Sequence, residues 1–590
     1  MTSDRPSRRF VSADHITQVL AFLALSTTLV IGVRYGTLAV GSPESTCAVG
    51  QARMFVDGQR SLPSPLPDQR FPAALSGMLA PPGFVALTDG SDRAVPGCPA
   101  GLSFAMSAAM RVGGDPAVFL LVPLFGVLAV WSTYLLGRTL AGPWAGVAAC
   151  SLMVCSPLFM YGVIQPISDV PAAALWVASL AAAIRAGDGS GAFRFKRAIG
   201  TGLLAGLAIM VRPHLFPLAA VPIMLVSSGW QQSPGSRQGQ EVSRHRLIAA
   251  AIMGMLPGVA AVAWLQWRVY GSAFGSATTA ADGVVGLAQA AANMAWYIWW
   301  LGSLHTPVLA LALLAPFVVG SNGEDERDNH SVGHTHSPSQ GHTVESATIT
   351  PGEVRFANAA RSTRGAHVLV PPGRRREWLL LAFALAVWAL ELPYGSVIEW
   401  QQTRALLPAL PMVIVLAVAA AWSLAGRRRS ARHRVALLAI VALVGGWWVH
   451  NASERGIFRA KAIERKYREA GRYAATTMAP DAVILAVLPA GSIRYYAEMP
   501  TLTWSAIPAG QLDALLDDLR SRGYAPLIAL DVSERGEFSQ HFAGRTLLAD
   551  LDWPARMTIG RDISVYDPAD RARHLAGDKI STGSISWPVK

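Results

Sequence analysis

Residues 143–184 read PWAGVAACSLMVCSPLFMYGVIQPISDVPAAALWVASLAAAI, and the only formal charge in the stretch is Asp169. Two apolar runs, Pro143–Tyr161 and Val170–Ile184, flank the short polar link Gln165-Pro166-Ile167-Ser168-Asp169. A bilayer core demands roughly 17 to 25 apolar residues of a helix, so the pair reads as two membrane spans joined by a tight turn. Working outward, further apolar runs fall at Ile16–Val33, Ala117–Leu136, Ala198–Val211, Leu215–Val226, Leu247–Trp264, Leu304–Val319, Trp378–Leu390, Ala405–Leu424 and Val435–Val449. The sequence therefore predicts an α-helical polytopic membrane protein with about eleven spans. Val284–Trp300, which ends in Trp296-Tyr297-Ile298-Trp299-Trp300, reads as an interfacial aromatic belt or a further half-span.

Composition agrees. Of 590 residues, 52% are hydrophobic and 15% charged, against the quarter or so charged in soluble chains, and mean hydropathy is +0.34. The formal charge of +12 sits in short links between apolar runs: Arg194-Phe195-Lys196-Arg197, Arg374-Arg375-Arg376, and Arg427-Arg428-Arg429 with Arg432 and Arg434. That is the pattern of cytoplasmic loops, not of a nucleic-acid-binding face. With residues 1–15 as a cytoplasmic N-terminus, alternating the spans puts every strongly basic link in the cytoplasm and everything after Val449 outside. Arg8 and Arg9 before the first run, and Ala39-Val40-Gly41 after it, faintly resemble a secretory signal, but the run is long for one and is followed by many more spans. The expected location is the cell (inner) membrane.

Four regions result. The membrane core spans 16–449; it includes a first outside loop over about 34–100 and a cytoplasmic loop over about 321–376. The second loop is rich in Ser, Gly, His and acids, and its His330, His334, His336 and His342 lack the spacing of a metal site, so it reads as disordered. No metal site is predicted. Beyond it, residues 450–567 read as an extracytoplasmic α/β domain: Ala482–Val487 and Pro526–Leu530 as strands, with Leu512, Leu515, Leu516 and Leu519 on one helical face. Residues 568–590 are expected to be a frayed tail. Cys150 and Cys155 lie inside a span, whereas Cys47 and Cys98 stand at the two ends of the outside loop, in a compartment where disulfides persist, and are predicted to pair.

The candidate chemistry lies at the outside ends of the spans. Glu44 follows the first span closely, where partial burial tunes a carboxylate toward general-base work; the alternative is a solvated loop acid. Asp169 precedes Pro171 and fits a helix cap, and an acid held there also faces anything entering from the lipid. Arg212, in Arg212-Pro213-His214, and Arg404, which opens the run Ala405–Leu424, are outside arginines against the positive-inside trend. Each is either a snorkelling side chain or a phosphate clamp.

These pieces together resemble the GT-C class of integral-membrane glycosyltransferases, in the branch of protein O-mannosyltransferases and the aminoarabinose transferases that modify lipid A. There the first outside loop opens on acids, usually Asp-Glu, with an Ala-Arg pair eight residues on. Glu44, Cys47, Ala52 and Arg53 keep that spacing. Cys98-Pro99-Ala100-Gly101 stands where the loop closes. Ser156-Pro157, Ser168-Asp169-Val170-Pro171, Gly202–Ala208 running into Arg212-Pro213, Arg404–Pro408 with Pro411, and Arg494-Tyr495-Tyr496 follow in the family's order. Two departures stand out: Glu44-Ser45 replaces the acid pair, and Cys47 replaces an aromatic.

The resemblance implies a glycosyltransferase that uses a polyprenyl-phosphate sugar as donor, with no cofactor required and a divalent cation left open. Arg404, Arg212 and Arg53 would hold the donor phosphate. Glu44 would act as base on a lipid, glycan or protein hydroxyl with inversion at the anomeric carbon, and Asp169 would share or support that role. Gln165, His214 and Tyr496 would line the substrate. The alternatives are a transporter or flippase for a lipid-linked saccharide, which needs no base, and a polymerase or ligase of surface polysaccharide. Transport is disfavoured because the spans show no inverted repeat.

Overall fold

The computed structural model describes residues 13–66, 71–87, 93–188, 192–228, 243–273, 286–319, 375–394, 397–425 and 431–587. The histidine-rich loop and Arg427–Arg429 lie outside the described residues.

The chain is mostly helical. Among the described residues, five helices are long and apolar enough to cross a membrane: α1 (Ala13–Tyr35), α4 (Asp115–Ala141), α7 (Asp169–Asp188), α10 (Arg244–Tyr270) and the helix Ala431–Glu454. Three bent pairs bring the number to eight: α5 (Pro143–Cys155) with α6 (Pro157–Ile164), bent by 62°; Gln289–His305 with Pro307–Val318, by 108°; and Trp400–Leu406 with Leu410–Ala425, by 80°. The first bend has a local cause. Pro157 cannot donate to the α5 ladder, and the Ser156 hydroxyl accepts the Phe159 N–H at 3.3 Å, so Ser156 caps a new helix inside what hydropathy reads as one span. The chain is thus a multi-pass membrane protein.

The helix α7 is the hub, packed by α4, by α8 (Ala192–Val211) and by α9 (Ala220–Ser228). Around it, α1, α10 and Ala431–Glu454 turn large apolar side chains outward, among them Phe22, Val30, Met253, Trp264, Leu443 and Trp447. Outward apolar faces on a buried polar centre are what a lipid solvent permits. Helices α8 and α10 meet backbone to backbone. A Cβ at Gly202, Gly206, Gly254 or Gly258 would fall within 2.7 Å of a main-chain oxygen of the opposite helix. Each helix therefore carries a Gly-xxx-Gly pair in the seam. At one end of the bundle Arg376 pairs with Asp188, and Arg194 donates to the Ala186 and Gly187 carbonyls.

The opposite end carries α2 (Pro43–Val56), α3 (Ala100–Gly113) and a sheet domain. Its six strands run β4-β3-β5-β7-β6-β8, where β3 is Ala482–Leu485, β4 Thr501–Leu502, β5 Ala525–Asp531, β6 Met557–Ile559, β7 Ile563–Tyr566 and β8 Gly583–Ile585; β1 and β2, Phe84–Ala86 and Ala94–Pro96, form a separate hairpin. Strands β3 to β5 are parallel and β7 is antiparallel to β5 and β6. The helix Leu512–Ser521 buries Leu512, Leu515, Leu516 and Leu519 against the sheet. The domain does not end at Asp567, as the sequence reading has it. Asp567 caps the helix Pro568–Leu575, and β8 pairs with β6, so the expected tail completes the sheet. Short polar stretches such as these carry too little periodicity to be read as elements.

The first loop and the sheet domain share one core: Leu66, Leu75, Met78 and Leu79 pack with Leu485, Trp504 and Phe538. Half-buried Arg494 links them, donating to the carbonyls of Leu79 and Thr501 at 2.9 and 3.1 Å, and desolvation pushes its guanidinium down to about 10.

Candidate functional site

Ser42 and Ser45 form a capping box that starts α2: the Ser42 hydroxyl accepts the Ser45 N–H, and Ser45 Oγ accepts the Ser42 N–H at 3.0 Å. This holds Glu44 in the first helical turn, where a carboxylate is favoured by the helix dipole. Its side chain is half exposed. Gly83, at φ of +86°, stands beside the first turn of α2, where an added Cβ would collide with the Pro43 carbonyl and Cys47. Cys47 is disulfide-bonded to Cys98, which ties the start of α2 to the end of the loop.

Asp169 opens α7 and is only 3% exposed. An isolated buried carboxylate is costly, and two arginines from distant segments meet it. Arg212, between α8 and the 3₁₀ turn Pro213–Ala219, pairs through Nη2 with Asp169 Oδ1. Arg404, in the 3₁₀ turn Trp400–Leu406, places Nε 3.2 Å from Asp169 Oδ2 and Nη2 2.5 Å from Glu44 Oε1. Asp169 thus bridges the two guanidiniums, and Arg404 bridges the buried acid and the accessible one. Arg212 also donates through Nη1 to the Ala405 carbonyl at 3.1 Å.

A third carboxylate completes the cluster. Glu391, at the C-terminal end of Arg375–Glu391 and 6% exposed, lies 3.3 Å from Arg212 Nη1 and 2.9 Å from His214 Nε2. Sequence reasoning missed it: Glu391 stands one residue past the run Trp378–Leu390, and a single acid after an apolar run has no pattern. Two guanidiniums therefore face three carboxylates and one imidazole. Among the described residues, no group of three or more His, Cys, Asp or Glu side chains is arranged to hold a metal ion.

Other residues named from the sequence lie elsewhere. Arg53 is nine residues along α2 from Glu44, about 13 Å by helical rise. It is spent on the sheet domain: its Nη1 donates to the Tyr495 carbonyl at 2.9 Å and the guanidinium lies over the Tyr495 ring. Tyr496 packs edge-on against Tyr495 and against Gly471, and burial pushes its phenol up to about 12. Gln165 is buried, its Oε1 accepting from Thr37 at 3.2 Å, which fastens the segment after α1 to the end of α6. His214 does join the cluster, through Glu391 and a tilted stack on Tyr394.

Residues 99–238, which include Asp169, Arg212 and His214 but not Glu44, Glu391 or Arg404, match the family described as dolichyl-phosphate-mannose-protein mannosyltransferase. No curated protein is significantly similar to the chain in sequence. In structure, the chain is similar to ArnT from Cupriavidus metallidurans, solved bound to undecaprenyl phosphate. The identity is 13% and the TM-score 0.51, with 94% of this chain and 98% of that one covered. The same protein in the apo state gives 14% identity and a TM-score of 0.50 at the same coverage. The oligosaccharyltransferase of Archaeoglobus fulgidus gives 12% identity and a TM-score of 0.47, covering 92% of this chain and 73% of that one. The fold is that of the GT-C class of membrane glycosyltransferases. The likeness to ArnT extends over nearly the whole of both chains.

Proposed function

We propose that the protein is a glycosyltransferase that takes a sugar from a polyprenyl-phosphate donor and places it on a hydroxyl acceptor at the extracytoplasmic face. The observation that carries this reading is the Arg404 bridge, in which one guanidinium holds both a buried carboxylate, Asp169, and a half-exposed one, Glu44. A guanidinium recognises phosphate bidentately, so an arriving donor phosphate competes with Glu44 for Arg404. Donor binding then frees Glu44 as it fixes the leaving group. Glu44 takes the proton of the acceptor hydroxyl as that oxygen attacks the anomeric carbon from the side opposite the phosphate. The bond from the anomeric carbon to the phosphate oxygen breaks, the configuration inverts, and Arg404 and Arg212 stabilise the charge gathering on the departing phosphate. Asp169 and Glu391 act through the arginines, holding them in place. The resemblance to ArnT bound to undecaprenyl phosphate supports a polyprenyl carrier.

The test is transfer of radiolabelled sugar from a panel of polyprenyl-phosphate sugars to an envelope acceptor fraction by protein in nanodiscs. Glu44→Gln is expected to lower kcat by roughly 10² to 10⁴, the range for removing a general base, with donor binding retained. Full activity in that variant excludes Glu44 as the base, and donor binding with label crossing liposomes instead of transferring would favour a transporter.

A further inference from the structure

Outside the cluster, a cavity of about 340 Å³ opens where α1 ends, within the size range of ligand sites. Arg34 and Tyr35 come from the last turn of α1, and Lys461, Arg465 and Arg468 from the helix Ala460–Thr477. Trp587, beyond β8, closes the rim with its ring 5.1 Å from the Arg465 guanidinium. Tyr35 stands edge-on to Phe458 at 5.0 Å, giving the cavity an aromatic floor.

The charges do not cancel. Glu469 is the carboxylate that reaches them, 3.4 Å from Arg465 and 3.9 Å from Arg468, and it is shared with Arg472 at 3.6 Å. Among the described residues neither Arg34 nor Lys461 forms an ion pair; Lys461 Nζ donates to the Arg34 carbonyl at 3.3 Å. Four cations against one shared acid leave an excess of about three positive charges. Burial first, and then the nearby Arg34 and Arg468 charges, hold the Lys461 ammonium below its ordinary range. The cavity also sits at the head of an apolar path, since Val30, Val33 and Leu38 lead from the outward face of α1 to its mouth.

We propose that this cavity binds the phosphate-bearing headgroup of a membrane amphiphile, with the chain lying along the outward face of α1. Cations and aromatic rings at the end of a lipid-facing helix suit an anionic headgroup, and the apolar path distinguishes a lipid phosphate from a free one. The site is separate from the Arg404 cluster and does not depend on the transferase reading.

The test uses the full chain in detergent, with binding of phosphatidate and of phosphatidylcholine followed by native mass spectrometry, and inorganic phosphate as competitor. Phosphatidate is expected to bind at least about tenfold more tightly than phosphatidylcholine. Each removed charge should cost roughly fivefold and the triple variant Arg34→Gln, Lys461→Gln, Arg465→Gln roughly 10²-fold, in the wild-type and Arg404→Gln backgrounds alike. Arg472→Gln, on the same helix but outside the cavity, should change binding less than about twofold. Equal affinity for the two lipids, an unaffected triple variant, or displacement by inorganic phosphate at matching concentration overturns the proposal. If the triple variant does not fold, Arg465→Gln alone, at a side chain 45% exposed, decides by the presence or absence of the fivefold loss.

Discussion

Asp169 and Asp531 are both buried carboxylates held by cations, and they do different things. Asp531, at the end of β5, receives Lys466 Nζ at 2.6 Å, the Tyr467 hydroxyl at 3.4 Å, and the Ser533 N–H and hydroxyl at 3.1 and 2.9 Å. Every partner is local to the sheet domain, and the network locks the helix Ala460–Thr477 onto the sheet. Asp169 takes its partners from two segments more than 40 and more than 230 residues away, and one of them, Arg404, reaches on to a carboxylate that solvent touches. A network drawn from one domain fastens neighbouring elements together, even though Lys466 also reaches the half-exposed Asp562 at 3.5 Å. One that gathers guanidiniums from distant segments around a buried acid and ends on an accessible carboxylate can exchange that carboxylate for a phosphate. Neither burial of charge nor an exposed end marks a site by itself; what sets Asp169 apart is a pair of guanidiniums gathered from distant segments.

Four experiments would break or sharpen this contrast, and the largest effect is expected from Asp169→Asn. It leaves Arg212 and Arg404 without their shared acid, so transfer should fall by at least about 10³-fold, and unfolding stability by roughly 3 to 5 kcal/mol, as for a broken buried pair. A radiolabel assay alongside a thermal melt separates the two effects; normal transfer in a well-folded variant would remove Asp169 from the machinery. Next, Cys47→Ser with Cys98→Ser opens a 51-residue separation and should cost about 4 kcal/mol through chain entropy, read as a lower melting temperature under non-reducing conditions. Lys466→Met should destabilise by roughly 3 kcal/mol yet leave kcat per folded molecule unchanged, because its partners Asp531 and Asp562 both lie within the sheet domain. A selective drop in kcat there would erase the distinction.

The smallest effect concerns pH. Burial pushes Glu464, beside Gly41 near the start of α2, up to about 7. A carboxyl raised in the folded state favours its neutral form, so its contribution is fully present below the unfolded value near 4.5 and is lost as pH rises through about 7. Stability should fall by on the order of 1 to 2 kcal/mol between pH 5 and 8, and Glu464→Gln should flatten that dependence. A wild-type melt insensitive to pH over this range would show that Glu464 stays ionised.

Much of this was legible before any coordinates. The apolar runs expose the membrane helices because lipid removes the polar alternative, and Asp169, Arg212 and Arg404 are conspicuous as charges where hydropathy expects none. Arg404 meeting Glu44 across 360 residues is tertiary information, reached from the sequence only through the order of motifs. The bends at Ser156-Pro157 and before Leu410 escaped because hydropathy sums composition and is blind to direction. Arg53 went astray for the opposite reason. It stands in the spacing that the resemblance marks, but nine residues of helix carry it out of reach of the cluster and onto Tyr495.

The glycine seam between α8 and α10 works as a ruler. Two helices whose backbones touch at Gly202, Gly206, Gly254 and Gly258 have one register open to them, because any intermediate offset drives a Cβ into a carbonyl. The next equivalent setting lies one turn away, about 5.4 Å. The seam fixes α10 against α8, whose C-terminal end leads directly into Arg212. Four residues with no side chain at all thus set how the helix that carries Arg212 at its end sits against its neighbour.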